Sequence, residues 1–139
     1  MALTEDYGLD AAEREKRKRF VRLTDEDVRL LTALLPTIER RVDGLVEAFY
    51  ARVLALQDAR EFFQVPDVLL RVKREQRNYL LDLFKGRYDE TYIERRLQIG
   101  HVHARIGLPP WLYIGGNSVF FELLTAVIRR RYMFRPYKM

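Results

Sequence analysis

The chain has two histidines, His101 and His103, in a stretch with helical spacing. At about 100° per residue they point about 200° apart around a helix, so one ligand cannot contact both from the same side. His103 shares an apolar face with Ile99 and Ile106, whereas His101 shares a polar face with Glu94. This spacing predicts that His103 points into the protein and that His101 points to water.

A neutral imidazole can be the single protein ligand of haem iron, which leaves the opposite side of the iron for a gas. A zinc site would need three or four ligands, and the chain has no cysteine and no further histidine to supply them. An inward histidine is also a common hydrogen-bonded core residue. The helix by itself therefore leaves both interpretations of His103 open.

Two other polar side chains fall on apolar helical faces. Tyr50 lies at the edge of an arc that contains Val46 and Phe49, and Gln76 shares a face with Val72. A phenol or an amide in apolar surroundings needs a hydrogen-bond partner. That partner is either a backbone group, a water molecule or a bound ligand.

The composition suits one soluble globular domain, with 139 residues of which 48% are hydrophobic and 32% charged. The lack of cysteine excludes disulfides, thiolate ligands and cysteine catalysis. The net charge of +5 comes from 25 basic and 20 acidic residues that are mixed along the chain, so nucleic-acid binding through residues 129–131 is a weak alternative. The charged start indicates no secretory leader, and we expect a cytoplasmic protein.

Apolar residues recur at helical spacing throughout the chain, which predicts an all-α fold. Thr24 begins a helix that Asp27 helps to cap, and Pro36 is expected to break or bend it. Gly86 and Gly107 are expected to end the helices before them. We expect helices over residues 11–19, 38–56, 66–84, 89–106 and 110–132.

The last of these helices is apolar around most of its circumference and needs cover on most sides. Residues 108–128 are the one stretch long enough to suggest a membrane span, but two prolines, Asn117 and Glu122 interrupt it. We expect no membrane insertion and instead a homodimer that packs through residues 110–132.

Three segments resemble the sensor globins of bacterial globin-coupled sensors. They are FVRLTDEDVRLL at residues 20–31, LVEAFYARVL at residues 45–54 and IGHVHARIGLPPWLYIGG at residues 99–116. The resemblance implies a globin-like helical sandwich whose final helix is lacking or truncated. It also implies a charged N-terminal extension at residues 1–19 and a haem-binding sensor globin domain at residues 20–139.

In this resemblance His103 corresponds to the proximal ligand of haem b iron. Tyr50 corresponds to the distal residue that donates a hydrogen bond to the gas. The expected haem-binding set also contains Phe49 as a pocket aromatic residue, Val72 as a small apolar gate and Gln76 as a polar side chain toward the gas. Ile106, an apolar neighbour of the ligand, and Tyr113, a proximal tyrosine, complete the set.

The resemblance implies a regulatory sensor and not an enzyme. The sensor would bind a diatomic gas reversibly, with dioxygen as the first candidate and carbon monoxide or nitric oxide as the next. It would control an output domain or a partner. Cyclase, kinase and chemoreceptor sequences are not found in the chain, so the output is not identified. Two alternatives remain, a helical dimerisation module without haem and a globin-like redox enzyme with an external electron source.

Overall fold

The computed structural model describes residues 2–133, in which it contains helices and no strand. A 3-10 helix covers Glu61–Phe63. The α-helices are α1 (Leu3–Asp6), α2 (Ala11–Phe20), α3 (Asp25–Leu54), α4 (Gln57–Arg60), α5 (Pro66–Asp82), α6 (Glu90–Arg105) and α7 (Pro110–Met133). The all-α prediction is confirmed. The expectation that the final globin helix is lacking or truncated concerns the residues after 133, which lie outside the described residues.

Helix α3 is continuous over 30 residues with Pro36 inside it. Of the two expected effects of this proline, a break is therefore wrong, and a bend stays a prediction. Proline removes one backbone hydrogen bond from a helix, and its ring crowds the carbonyl one turn earlier, so the helical path must be stabilised by other contacts. Leu34 and Ile38 are buried on either side of Pro36. Their burial stabilises both halves of α3 and favours the helical path through the proline. The short helices α1 and α4 were not predicted, because four residues show no apolar period.

The predicted start of α3 is confirmed by its cap. The Thr24 hydroxyl accepts a hydrogen bond from the Asp27 amide at 3.2 Å, and Asp27 Oδ2 accepts one from the Thr24 amide at 2.9 Å. These reciprocal bonds form a capping box. The pKa of the Asp27 carboxyl is lowered by its hydrogen bonds with the Thr24 backbone and side chain. The carboxylate is therefore the form that holds the cap.

The described chain divides into two compact units, each built from two chain segments. The first unit contains the described residues up to Ala33 together with Asp82–Leu108. It holds α1, α2, the first part of α3 and α6. The second unit contains Leu34–Leu81 and the described residues from Pro109 onward, with the rest of α3, α4, α5 and α7.

Within the second unit, α3 contributes most of the buried apolar side chains. They recur at the helical period along one face: Leu34, Ile38, Val42, Leu45, Val46, Phe49 and Tyr50. Leu80 of α5 and Phe120 of α7 are buried as well. Exposed ion pairs join α3 to α5 and to α7, but pairs in water add little stability. Burial of the α3 face is therefore the main stabilising term in this unit.

Helix α7 is the one helix in residues 2–133 that is long and apolar enough to cross a membrane. The core helix of a soluble protein passes the same test of length and composition, but such a helix is mostly buried, whereas little of the apolar stretch of α7 is buried within the chain. Two contacts tie α7 to its own unit. Phe120 stacks on Phe49 of α3 with ring centroids 3.7 Å apart, and Glu122 pairs with Arg52 at 2.6 Å.

Candidate functional site

His103 lies in the last turn of α6, in the first unit, and is half-buried. Burial lowers the pKa of its imidazole. The neutral ring is therefore favoured at physiological pH, and a neutral imidazole carries the nitrogen lone pair that a metal ligand requires. The donor chemistry of His103 fits an axial ligand of haem iron.

The backbone around His103 is held by the end of its own helix. Gly107 has a φ of 73°, which glycine adopts without steric cost. The Leu108 amide donates to the His103 carbonyl at 3.0 Å, and the Gly107 amide donates to the Ala104 carbonyl at 3.1 Å. This pair of bonds is a Schellman motif, so the predicted terminator role of Gly107 is confirmed. Ile106 is the C-cap residue and is exposed.

His101 is exposed, as its place on the polar face of α6 predicts. That face does not simply point to water, however. The Tyr7 hydroxyl lies 2.9 Å from His101 Nε2, and Glu94 accepts hydrogen bonds from the backbone amides of Leu3 and Thr4. The polar face of α6 is therefore partly covered by the N-terminal residues that fold back onto it, a long-range contact that helical spacing does not predict.

Tyr50 lies in the second unit and is only 6% exposed. Its ring makes edge contacts with Phe49 at 5.0 Å and with Phe63 at 5.9 Å between centroids. Desolvation raises the pKa of the phenol to about 12. A tyrosine is protonated at physiological pH, and burial moves its titration farther from that pH, so Tyr50 is a hydrogen-bond donor in apolar surroundings.

The structure brings Tyr50 and Phe49 together, as their adjacent positions in α3 require. Phe63 and Phe120 join them and were missed as candidate site residues. Phe63 lies in a three-residue 3-10 helix that has no periodic signal, whereas Phe120 was recognised only as one of many apolar residues in α7. A cluster of aromatic rings from separate segments becomes visible only in the folded chain.

The remaining candidates have different surroundings. Val72 and Gln76 are half-buried and lie one turn apart on α5, whereas Tyr113 of α7 is exposed. These three residues belong to the second unit, as Phe49 and Tyr50 do, while His103 and Ile106 belong to the first. Their assignment as one haem-binding set stays a prediction.

No group of three or more His, Cys, Asp or Glu side chains in residues 2–133 is placed to hold a metal ion. A metal bound only by protein side chains needs such a group, but haem iron does not, because the porphyrin supplies four of its ligands. A single neutral histidine is sufficient on the protein side.

The Protoglobin family model matches residues 10–136. The chain belongs to the protoglobin family. This protoglobin chain is 33% identical over 128 residues to the heme-based aerotactic transducer HemAT of Halobacterium salinarum. The alignment covers 91% of the chain but 26% of that protein, so the chain spans about a quarter of the length of this relative.

A solved structure is also similar to the protoglobin chain. The globin domain of the Geobacter sulfurreducens globin-coupled sensor matches it with a TM-score of 0.80 at 30% identity, and the match covers 85% of this chain and 78% of that one. The predicted globin fold and the resemblance to sensor globins are confirmed. Both relatives are sensory proteins by name, which agrees with a regulatory rather than a catalytic domain.

Proposed function

We propose that this protoglobin chain is a haem-based gas sensor domain in which His103 binds the iron of haem b. The observation that carries the proposal is the half-buried His103, whose pKa is lowered by burial, in the last turn of α6 of a protoglobin. Haem b supplies reversible binding of a diatomic gas when it is present. Dioxygen is the first candidate, before carbon monoxide and nitric oxide.

Tyr50 is the proposed donor of a hydrogen bond to the gas. Its phenol is protonated at physiological pH, and the edge contacts with Phe49 and Phe63 restrict the orientation of the ring. A donor that is already oriented loses little conformational entropy when the gas binds. The other residues proposed to line the haem pocket are Phe49, Val72, Gln76, Ile106 and Tyr113.

The sensor is proposed to act through partners. HemAT is an aerotactic transducer by name, and by analogy gas binding to this chain controls an output domain or a partner protein. The proposed domain comprises residues 20–139, with residues 1–19 as its charged extension. We further propose a cytoplasmic homodimer that packs through residues 110–132, without membrane insertion and without nucleic acid.

Haem titration of the purified chain tests the function directly. The wild type should develop a Soret band with one equivalent of haem, and His103→Ala should lose stable haem binding or need added imidazole. His101→Ala is the matched control, because it removes the same group from the opposite face of α6, and it should keep the band. The opposite pair of results, in which His103→Ala keeps the Soret band and His101→Ala loses it, would contradict the assignment of His103 as the iron ligand. A wild type without a Soret band would contradict haem binding and favour a helical dimerisation module.

A further inference from the structure

The N-terminal segment, defined as residues 2–9, is docked on α6 within the first unit. Glu94 Oε1 accepts a hydrogen bond from the Leu3 amide at 2.9 Å, and Oε2 accepts one from the Thr4 amide at 2.8 Å. The Thr4 hydroxyl lies 3.2 Å from Glu90 Oε1, and this threonine is only 2% exposed. One carboxylate thus caps both of the first amides of α1.

A second contact lies farther along the same helix. The Tyr7 hydroxyl is 2.9 Å from His101 Nε2, and the two rings meet edge to face with centroids 5.8 Å apart. Glu90 and His101 are eleven residues apart, which corresponds to about 16 Å of helix. The N-terminal segment therefore contacts α6 along most of its length.

The contacts lie on the side of α6 away from the proposed iron ligand. Glu94 precedes His103 by nine residues, which places the two about 180° apart around the helix. Hydrogen bonds from the Leu3 and Thr4 amides lower the pKa of Glu94, so the carboxylate is ionised at neutral pH. Charge-assisted bonds of this kind are stronger than bonds between neutral groups.

We propose that Glu94 is a positioning residue for His103. By holding the N-terminal segment on one side of α6, it sets the rotation of the helix from which His103 projects on the other side. A rotation of about 20° would move a side-chain end 5–6 Å from the helix axis by about 2 Å, whereas a functional ligand must be held to within about 0.5 Å. The inference rests on the proposed function for the identity of the group that His103 binds. The docking of the N-terminal segment on α6 does not depend on that function.

Hydrogen exchange of the haem-free chain measures the docking and its effect on α6. Glu94→Ala should speed exchange of the Thr4 amide about 10-fold, because it loses its acceptor. The Leu108 amide, which donates to the His103 carbonyl, should also exchange several-fold faster if the N-terminal segment restrains α6. Glu75→Ala is the matched control, since Glu75 is an exposed glutamate on α5.

Resonance Raman spectroscopy of the ferrous haem-loaded chain gives the second readout. The iron–histidine stretching band should shift or broaden in Glu94→Ala and stay unchanged in Glu75→Ala. Glu94→Gln keeps a carbonyl oxygen for one of the two amides and should recover part of the wild-type band. A residue that only stabilised the fold would not give this graded spectral response.

Several results would overturn the proposal. Unchanged exchange at Thr4 in Glu94→Ala would show that the carboxylate does not hold the N-terminal segment. Faster exchange of the Thr4 amide, with unchanged exchange of the Leu108 amide and an unchanged Raman band, would show that Glu94 holds the N-terminal segment but does not position His103. If Glu94→Ala does not fold, Glu94→Gln and Tyr7→Phe take its place in both measurements. If the wild type takes up no haem, the proposed function fails, and exchange at Leu108 alone decides whether Glu94 restrains α6.

Discussion

The buried Tyr50 places a protonated hydroxyl in surroundings from which water is largely excluded. Burial raises the pKa of this phenol to about 12 and removes competing water. A hydrogen bond donated in such surroundings is stronger than the same bond in water, because the effective dielectric constant is lower. Dioxygen accepts a hydrogen bond at haem better than carbon monoxide does. Comparison of the two gases therefore distinguishes the effect of the hydrogen bond from the effect of pocket shape.

Tyr50→Phe removes the hydroxyl and keeps the ring. For the haem-loaded chain we expect dioxygen dissociation about 2- to 13-fold faster, which corresponds to the loss of about 0.5–1.5 kcal/mol from one net hydrogen bond. Carbon monoxide dissociation should change less. Stopped-flow displacement of each gas measures both rates, and autoxidation of the ferrous chain should be faster in the variant.

Gln76 could replace the lost donor, since it is half-buried on α5. The double variant Tyr50→Phe with Gln76→Leu should therefore show a larger loss than Tyr50→Phe if the amide compensates. Equal dioxygen dissociation and autoxidation rates in the wild type, the single variant and the double variant would leave Tyr50 a structural residue.

The pH dependence follows from the protonation of Tyr50. A free tyrosine loses its proton near pH 10, whereas burial raises the pKa of Tyr50 to about 12. The hydroxyl remains a donor below its raised pKa. Dioxygen dissociation should therefore show no acceleration as the pH approaches 10, for as long as the chain stays folded. An increase that follows an ordinary tyrosine titration would contradict the burial of this group.

At the scale of the elements, the loop between α5 and α6 depends on a close approach at Gly86. This residue has a φ of 76°, and a Cβ there would lie 2.7 Å from Thr32 Oγ1 and 3.3 Å from Val28 Cγ1. The Thr32 hydroxyl is engaged in a hydrogen bond to the Val28 carbonyl at 2.7 Å. Helix α5 ends at Asp82, four residues before Gly86, so the prediction that Gly86 ends this helix is wrong. Gly86 is instead constrained by its contact with α3 and by its left-handed backbone.

Gly86→Ala should destabilise the chain by about 1–3 kcal/mol, through backbone strain and the displacement of Thr32. Gly44→Ala is the matched substitution inside α3, where a Cβ would meet no atom within 4 Å. It should stabilise the chain by about 0.5–1 kcal/mol, because alanine favours the helix over glycine. Urea unfolding followed by circular dichroism measures both, and losses of similar size in the two variants would contradict this reasoning.

At the scale of the whole molecule, α7 carries a stripe of exposed apolar residues. Ile114, Phe121 and Tyr132 are exposed and lie within about 20° of one another around the helix. Exposed apolar side chains that share one face of a helix favour an interaction site on that face. The stripe is consistent with the proposed homodimer, in which two copies of α7 would cover each other.

Sedimentation velocity over a range of concentrations tests the dimer. Phe121 is 74% exposed, and Phe121→Lys should weaken association about 100-fold or more, because burial of each large side chain is worth about 1.5–3 kcal/mol and a symmetric dimer buries two copies. Leu70→Lys is the control, since Leu70 is 63% exposed on α5. A wild-type monomer at high concentration, or equal effects of the two lysines, would contradict an interface through α7.

The sequence by itself determined the features that depend on neighbouring residues. Helical periodicity located the main helices, and the capping box at Thr24 and the terminator role of Gly107 were readable because all their partners lie within a few residues. The exposure difference between His101 and His103 followed from helix geometry, and the family resemblance followed from local motifs.

Tertiary structure decided the features that join distant parts of the chain. Leu3 and Glu94 are 91 positions apart, so their hydrogen bond left no periodic signal, and neither did the stacking of Phe49 on Phe120. Pro36 in α3 is a further case in which tertiary contacts outweigh a local preference. Its local preference for a break is outweighed by burial of the helix on both sides. Local geometry can be read from spacing, whereas burial and long-range hydrogen bonds depend on which segments meet once the chain has folded.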